Sequence, residues 1–191
     1  MIDTGAFIQR LTRTKSLPLK VVHSLADGLR VNRFDAQETF LSPGNYAAAI
    51  YFVQSGLIRG AIEGPFGKTT TWFKQESDLL IPQGLFNQQA SDEYLSAVSN
   101  TILLSLPLKH LQKVAEGSSE LTELVIMLMA ESLQEGQYRE KLLRIPAARG
   151  RYEFIAKNES YILRRIPHHM IASYLNMTKE TFSRIHKGLA Y

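Results

Sequence analysis

Turn signals interrupt the middle of the chain at a spacing of roughly ten residues, and this punctuation limits the fold more than any other feature. Each signal contains Gly or Pro: Pro43-Gly44-Asn45, Ser55-Gly56, Glu63-Gly64-Pro65, Gly67 and Pro82-Gln83-Gly84. Between them lie short alternating or β-branched runs: Leu29–Phe34, Thr39–Leu41, Ala47–Val53, Leu57–Ile62, Thr69–Phe73, Tyr94–Val98 and Ile102–Leu106. This pattern predicts an antiparallel sandwich or barrel within an α+β protein.

Helical periodicity flanks this region on both sides. Residues 3–28 place apolar side chains on one side of a helix: Phe7, Leu11, Leu17, Leu19, Val22 and Leu25. Leu108–Ala115 is long enough for two further helical turns. Ser118 or Ser119 can then cap a helix that carries Glu120 in its first turn. That helix runs to Ile145, because Pro146 stops it, and at 1.5 Å per residue it is about 40 Å long.

The first half of this long helix is apolar on more than one face. Its apolar residues are Leu121, Leu124, Val125, Ile126, Leu128, Met129 and Leu133. Such a helix must be covered on two sides. The protein's own domain covers one side, and the other is covered either by a second copy of the chain or by the rest of the same monomer. We expect the second copy, and therefore a homodimer.

Composition excludes several classes of protein. The chain has 191 residues and no Cys, which excludes disulfides, Cys-ligated zinc, cysteine-ligated iron–sulfur clusters and a thiol nucleophile. The residues after Met1 lack the basic and apolar regions of a signal peptide. The longest nearly apolar run, Leu124–Ala130, is far shorter than the roughly 20 residues of a membrane span. We expect a cytoplasmic protein that does not contact a membrane.

Positive charge is concentrated at the C-terminal end. Residues 139–191 contain 11 Lys and Arg against four acidic residues, whereas the preceding residues contain 11 basic and 14 acidic residues. A basic module behind a mildly acidic body favours a unit that binds a polyanion such as a nucleic acid.

Within this basic module, the segment from Ile166 to Gly188 has the spacing of two short crossed helices. Pro167 suits a first helical turn, and Asn176 suits a turn that needs a positive φ. Thr178 can cap the second helix. The shared apolar positions are Ile171, Ala172, Leu175, Met177, Phe182 and Ile185. This is a helix-turn-helix pattern.

The second of these helices is the predicted DNA-recognition helix. With Phe182 and Ile185 turned inward, its outer face carries Lys179, Glu180, Ser183, Arg184 and Lys187. Arg184 can contact guanine O6 and N7, and Glu180 can accept a hydrogen bond from cytosine N4. Thr178, Thr181 and the helix N-terminus suit phosphates, as does Lys187.

Residues Tyr161–Lys187 resemble the DNA-binding end of the Crp–Fnr family of bacterial transcription regulators. The resemblance rests on Ile-Pro-x-x-x-Ile-Ala-Ser-Tyr-Leu-x-Met-Thr-x-Glu-Thr-x-Ser-Arg-Ile. Upstream, Tyr51–Arg59 resembles the β-roll turn of the family's cyclic-nucleotide-binding-like domain. The order of strands, one long helix and a helix-turn-helix is also the family's order.

The resemblance implies three segments and a set of partners. The segments are a jelly-roll-like β-roll sensor (1–117), a dimerisation helix (118–145) and a winged-helix-type DNA-binding domain (146–191). The implied partners are double-stranded promoter DNA with a palindromic site, a second copy of the chain and RNA polymerase. The resemblance also places Lys179, Glu180 and Arg184 at base-contacting positions, and it does not identify an effector.

The sequence departs from the family pattern at two places, one that concerns nucleotide binding and one that concerns the C-terminal wing. Nucleotide-binding members have a Gly-Glu pair, but Asp78–Phe86 has none. Where those members have Arg followed by Ser or Thr, the stretch Ala90–Tyr94 instead contains Asp92 and Glu93. A phosphate needs donors and positive charge, so we expect no useful affinity for cyclic AMP. The sequence also ends at Tyr191, so we expect the hairpin wing of many relatives to be missing or replaced.

Parts of the sequence are also compatible with other functions. A ligand-sensing β-roll that acts through protein partners, with a vestigial DNA-binding end, stays open as an alternative. A cupin-type metal enzyme is disfavoured because residues 29–107 contain no His. His168 and His169 are adjacent and would point about 100° apart on a helix, and His23 and His110 are isolated. We expect no catalytic residue, metal site or cofactor, and therefore no enzyme.

Overall fold

The computed structural model describes residues 4–64 and 67–189, and the chain divides into two compact units. The first unit contains the residues up to Gly60 together with Phe73–Leu133. The second contains Ala61–Trp72 and the chain from Gln134 onward. The second unit therefore combines a short internal segment with the C-terminal part of the sequence.

Two four-stranded sheets form most of the first unit. The strands are β1 (Arg30–Phe34), β2 (Thr39–Leu41), β3 (Ala49–Ser55), β4 (Leu57–Ile62), β5 (Thr69–Gln75), β6 (Leu79–Leu80), β7 (Glu93–Ala97) and β8 (Thr101–Pro107). One sheet has the order β1-β8-β3-β6 and the other β2-β7-β4-β5. β8 is antiparallel to both neighbours, with Leu104 opposite Val31 and Phe52. The predicted antiparallel β-structure of an α+β protein is confirmed.

The sequence pattern misses β6. Its two residues, Leu79 and Leu80, pair antiparallel with Phe52 and Tyr51 of β3. A strand of two residues is too short to show the alternation of period two from which strands are predicted. Tertiary pairing with β3, rather than local sequence, therefore defines this strand.

From residue 4, where the described chain begins, the N-terminal region forms two helices, α1 (Gly5–Thr14) and α2 (Leu19–Asp27). The prediction of helical structure over residues 3–28 needs correction at its centre, where Lys15–Pro18 separates the two helices. Proline disfavours helical φ and ψ angles in the residue before it, so Leu17 cannot continue α1. Pro18 then lies at the N-cap of α2.

Two further helices follow the strands, α3 (Leu108–Ala115) and α4 (Ser119–Arg144). Of the two predicted caps for α4, Ser118 is the one that accepts a hydrogen bond, from the Leu121 N–H at 3.2 Å. The backbone N–H of Glu120 and then the Ser118 hydroxyl hold the pKa of the Glu120 carboxyl below its usual value. This negative charge suits the positive end of the helix.

One face of α4 completes the core of the first unit. Leu121, Leu124 and Leu128 are buried in the same cluster as Phe7 of α1 and Phe52 of β3. The rings of Phe7 and Phe52 meet edge to face, with centroids 5.7 Å apart. Large apolar side chains on another face of α4 stay exposed: Ile126 at 60%, Met127 at 42%, Met129 at 48% and Leu133 at 66%.

In the part of the second unit that the structure describes, four C-terminal helices follow the last part of α4. They are α5 (Ala148–Asn158), α6 (Ser160–Arg165), α7 (His168–Tyr174) and α8 (Lys179–Leu189). Its core contains completely buried side chains from each of these helices and from α4: Leu142, Ile155, Ile162, Ile171 and Phe182. Among residues 4–64 and 67–189, no helix has the length and hydropathy needed to cross a membrane.

Candidate nucleic-acid interface

Helices α7 and α8 form the helix-turn-helix that the sequence predicts. Ile171, Ala172 and Leu175 are buried where the helices meet, with Ala172 only 1% exposed. Asn176 lies in the turn with a φ of 49°, a left-handed conformation that Asn tolerates better than most residues. The Met177 N–H then donates to the Ala172 carbonyl at 3.0 Å. Each of these positions has the role that its residue type indicates.

The second helix, α8, begins with a side-chain cap. The Thr178 hydroxyl accepts a hydrogen bond from the Thr181 N–H at 3.2 Å. The backbone N–H of Glu180, followed by the Thr178 hydroxyl, lowers the pKa of the Glu180 carboxyl. Glu180 is therefore held as a carboxylate, the form that can only accept hydrogen bonds.

Burial divides the residues of α8 into an inner and an outer set. Phe182 is completely buried, and Ile185 is half-buried. Of the predicted DNA-binding residues, five are exposed and two are half-buried; the exposed ones are Thr178, Lys179, Glu180, Arg184 and Lys187, and the half-buried ones are Thr181 and Ser183. The structure therefore brings all seven together at the start and along the outer side of one helix.

A cleft beside α8 adds a residue that sequence reasoning missed. Its volume is about 340 Å³, and it is lined by Arg149 of α5 together with Thr181, Arg184, Ile185 and Gly188. Arg149 Nε donates to Glu153 Oε1 at 2.8 Å, and both side chains are exposed. Only the excess of basic residues in this part of the chain hinted at Arg149, because no local pattern relates α5 to α8.

Another arginine of α5 holds the turn between α7 and α8. Arg151 Nε donates to the Leu175 carbonyl at 2.7 Å, and Nη2 donates to the Asn176 carbonyl at 3.2 Å. Its Nη1 donates to the Ile145 carbonyl at 2.8 Å. This guanidinium therefore joins the end of α4, α5 and the turn, and it serves structure rather than an outer ligand.

Two histidines also meet behind the outer face. The rings of His168 and His186 lie edge to face with centroids 4.8 Å apart. Tyr152 Oη lies 2.9 Å from His186 Nδ1, and the His186 ring stacks on Phe182. Among the described residues, no group of three or more His, Asp and Glu side chains is arranged to hold a metal.

The second unit also includes the end of β4 and the start of β5, and β5 contacts the helices of this unit. Ser173 Oγ of α7 accepts a hydrogen bond from the Thr70 N–H at 2.9 Å. Arg139 Nη2 donates to the Thr70 carbonyl at 3.3 Å. The Arg139 guanidinium lies 4.0 Å from the centre of the Tyr174 ring, a cation–π contact. Strand β5 is thereby joined to the first helix of the helix-turn-helix.

A half-buried carboxylate, that of Glu159, supports the same region. Tyr138 and Tyr174 both donate their hydroxyl hydrogens to Glu159 Oε2, over 3.1 Å and 3.3 Å. Burial, followed by the charge of Glu159, raises the pKa of both phenols well above the usual value. Both tyrosines are therefore neutral donors over the physiological range of pH.

Comparison with known proteins identifies the fold. No protein-family model matches the sequence, and no curated protein matches it significantly. FixK2 from Bradyrhizobium japonicum is similar in structure, with a TM-score of 0.72 and 19% identity over 85% of this chain and 84% of that chain. A protein from Eubacterium rectale assigned to the Crp/Fnr family of transcriptional regulators has a TM-score of 0.70 and 16% identity, over 91% and 84%. The chain has the Crp/Fnr regulator fold.

A third structure with this fold is the Catabolite Activator Protein of Thermus thermophilus, with a TM-score of 0.59 and 22% identity over 95% of this chain and 86% of that chain.

The segment of residues 78–94 in the first unit contains no Lys or Arg. Ser91 in this segment is 2% exposed and is bonded through its backbone to Gly44 and Asn45. The Asp92 N–H donates to Gln83 Oε1 at 3.3 Å.

Proposed function

We propose that the protein is a sequence-specific, DNA-binding transcription regulator of the Crp–Fnr type that acts as a homodimer in the cytoplasm and is not an enzyme. The observation that carries this proposal is the outer side of α8, where Lys179, Glu180, Arg184 and Lys187 are exposed on a capped helix that is packed through Phe182. A helix with one buried side and one exposed, hydrogen-bonding side fits the major groove of DNA.

The residues of α8 divide into two roles under this proposal. Arg184 and Lys179 donate to base edges, for which guanine O6 and N7 are the best acceptors, and Glu180 accepts from cytosine N4. Thr178, Thr181, Ser183 and Lys187 contact phosphates and the groove wall, which fixes the register of the helix on the duplex. Arg149 extends the positive charge across the neighbouring cleft.

The exposed apolar side of α4 supports the homodimer. Ile126, Met129 and Leu133 are spaced by three and four residues, which is the spacing of a coiled-coil seam. Pairing of two α4 helices along this seam would bury these side chains and present two copies of α8, as a palindromic site with half-sites about 34 Å apart requires.

Cyclic AMP is not the effector under this proposal. Its phosphate carries a negative charge that must be matched by donors and positive charge. The segment that would supply them has neither Lys nor Arg, and it presents Asp92 and Glu93 instead. Like charges at this place oppose binding of the nucleotide.

Selection of genomic fragments tests the proposed function. Purified full-length protein is incubated with sheared genomic DNA of its source, and bound fragments are sequenced and searched for a shared palindrome. We expect one site to be enriched, and we expect its complex to persist at salt concentrations that dissociate random DNA of the same length. Loss of both complexes at the same salt concentration would favour the alternative, a sensor that acts through protein partners.

A further inference from the structure

A cavity of about 1000 Å³ lies in the first unit. It is formed by the end of α2, the start of β1, the loop before β3, the loop after β6 and the junction of β8 with α3. None of its lining residues belongs to α4. Its volume is at the upper end of the range of roughly 300–1000 Å³ that is usual for small-molecule sites.

The floor of this cavity is apolar. Leu29, Leu85 and Leu108 line it, and each is less than 10% exposed because it also belongs to the core cluster. At the edge, Tyr46 is 67% exposed. Burial of an apolar ligand on such a floor would remove water from both surfaces.

The rim of the cavity has an excess of positive charge. Arg30 of β1 and Lys109 of α3 line it, against a single carboxylate, Asp27. Arg30 and Lys109 are both exposed. Among the described residues, neither of these two side chains forms an ion pair or a hydrogen bond, so both cations are available to an anionic group.

Local contacts and backbone geometry shape two walls of the cavity. The His110 Nε2–H donates to the Ser24 carbonyl at 2.6 Å, and its ring lies so close to Gly28 that a Cβ there would be 2.2 Å from His110 Cδ2. On the other wall, Gln88 has a φ of 54°, a left-handed conformation that costs energy in a residue other than Gly. These features fix the course of the backbone at two places on the wall of the cavity.

We propose that this cavity binds a small organic anion, with its apolar body on Leu29, Leu85 and Leu108 and its acidic group facing Arg30 and Lys109. The cations that select such a ligand come from β1 and α3. They do not come from residues 78–94, where the resemblance would place a cyclic-nucleotide site. The site is independent of the proposed DNA-binding function, because none of its residues lies on α7 or α8.

Two fluorescent probes that differ in charge test this proposal. One is 8-anilinonaphthalene-1-sulfonate, and the other is N-phenyl-1-naphthylamine, which has nearly the same apolar body without the sulfonate. Both are titrated into the full-length protein. We expect the sulfonate to bind saturably, and we expect Arg30→Ala/Lys109→Ala to raise its Kd by about fivefold or more, since two charge-assisted contacts are lost.

The matched control is Arg33→Ala/Lys113→Ala. Like the test variant, it removes one Arg from β1 and one Lys from α3, but neither of these residues lines the cavity. We expect this control to leave the Kd of the sulfonate within about twofold, and we expect the neutral probe to bind all three proteins equally. A further variant, Ala48→Trp, fills the cavity and should weaken both probes. The proposal is wrong if the wild-type protein shows no saturable binding of the sulfonate, or if both double variants weaken it equally.

Discussion

Arg184 stays in solvent because Phe182, two positions earlier, is completely buried. Residues two apart on a helix point to different sides, so the packing of Phe182 determines where Arg184 projects. Lys187, five positions after Phe182, is turned away from it and is also exposed, and Lys179 is exposed in the first turn of the helix. At this scale, a single apolar contact positions the charges that we propose to meet DNA.

Substitution of Arg184 by Ala tests this role directly. If Arg184 contacts a guanine, Arg184→Ala should weaken binding to the selected palindrome by about 1–3 kcal/mol and relax the preference at one base pair. Fluorescence anisotropy on the palindrome and on its single-base variants measures both effects. The control is Lys157→Ala, which removes an exposed cation from the C-terminal end of α5, the end opposite Arg149. This variant should leave DNA binding nearly unchanged. An equal loss on every sequence would identify Arg184 as a phosphate contact.

Asn176 makes a second residue-scale prediction, on stability. Its φ of 49° suits Gly and Asn, whereas Ala pays a steric cost of roughly 1 kcal/mol there. Asn176→Ala should therefore lower the free energy of unfolding by about 1 kcal/mol, whereas Asn176→Gly should have a smaller effect. Urea unfolding followed by circular dichroism measures the difference. Equal losses in the two variants would show that the backbone conformation is not what selects Asn.

At the scale of elements, α4 has two apolar faces with different surroundings. Leu121, Leu124 and Leu128 lie in the core of the first unit, whereas Ile126 and Leu133 are exposed. The exposed face keeps a spacing of three and four residues. An element of this kind is stable in water when a second surface covers it, and we propose that this surface is the same face of another copy.

Leu133→Glu tests the pairing of α4. A carboxylate in the seam would be desolvated and unpaired in a dimer, so the variant should sediment as a monomer at concentrations where the wild-type protein is a dimer. Analytical ultracentrifugation measures this. Gln134→Glu adds the same charge one position away from the seam and should stay dimeric. A wild-type protein that is monomeric would contradict the prediction, as would a dimeric Leu133→Glu variant.

The contacts of Glu159 with Tyr138 and Tyr174 make a prediction about pH. Burial and then Glu159 raise the pKa of both phenols above the ordinary 10.0. When the pH rises past 10.0, the unfolded chain loses phenolic protons that the native state keeps, so stability must fall. The Tyr138→Phe/Tyr174→Phe variant should lose less stability than the wild type between about pH 9 and about pH 11. The midpoint of urea unfolding is measured for both proteins at each pH. An equal loss of stability in the two proteins would contradict the prediction.

At the scale of the molecule, the arrangement of charge predicts how the protein responds to nucleotides. No Lys or Arg lies in residues 78–94, so we expect cyclic AMP to have no useful affinity for the protein. Isothermal titration at micromolar protein should show no saturable heat with cyclic AMP, and cyclic AMP should leave the affinity for the selected DNA unchanged. Micromolar binding would overturn this prediction.

Local signals in the sequence account for much of the fold. Gly and Pro at the turns predict most of the strands, and the boundaries of β2, β4 and α3 agree with the sequence pattern. Ser118, Asn176 and Thr178 have the roles that their residue types predict. These features depend on residues that are close together in the chain, which is why one sequence suffices to find them.

Features that depend on distant residues could not be found in this way. β6 exists through its pairing with β3, and Arg149 reaches the cleft of Arg184 only because α5 packs against α8. Arg151 is counted among the basic residues of the C-terminal module, but its guanidinium donates to the carbonyls of the turn. Net charge therefore overstates the number of cations that are available to DNA.

The contact of Thr70 with Ser173 and Arg139 has a consequence for solubility. β5 is an edge strand, and the exposed backbone of an edge strand can recruit a strand from another molecule and start aggregation. At Thr70 both the N–H and the carbonyl are already bonded to helix side chains. A strand from another molecule therefore finds no free backbone donor or acceptor at Thr70, and replacement of Ser173 by Ala would leave the Thr70 N–H without this partner.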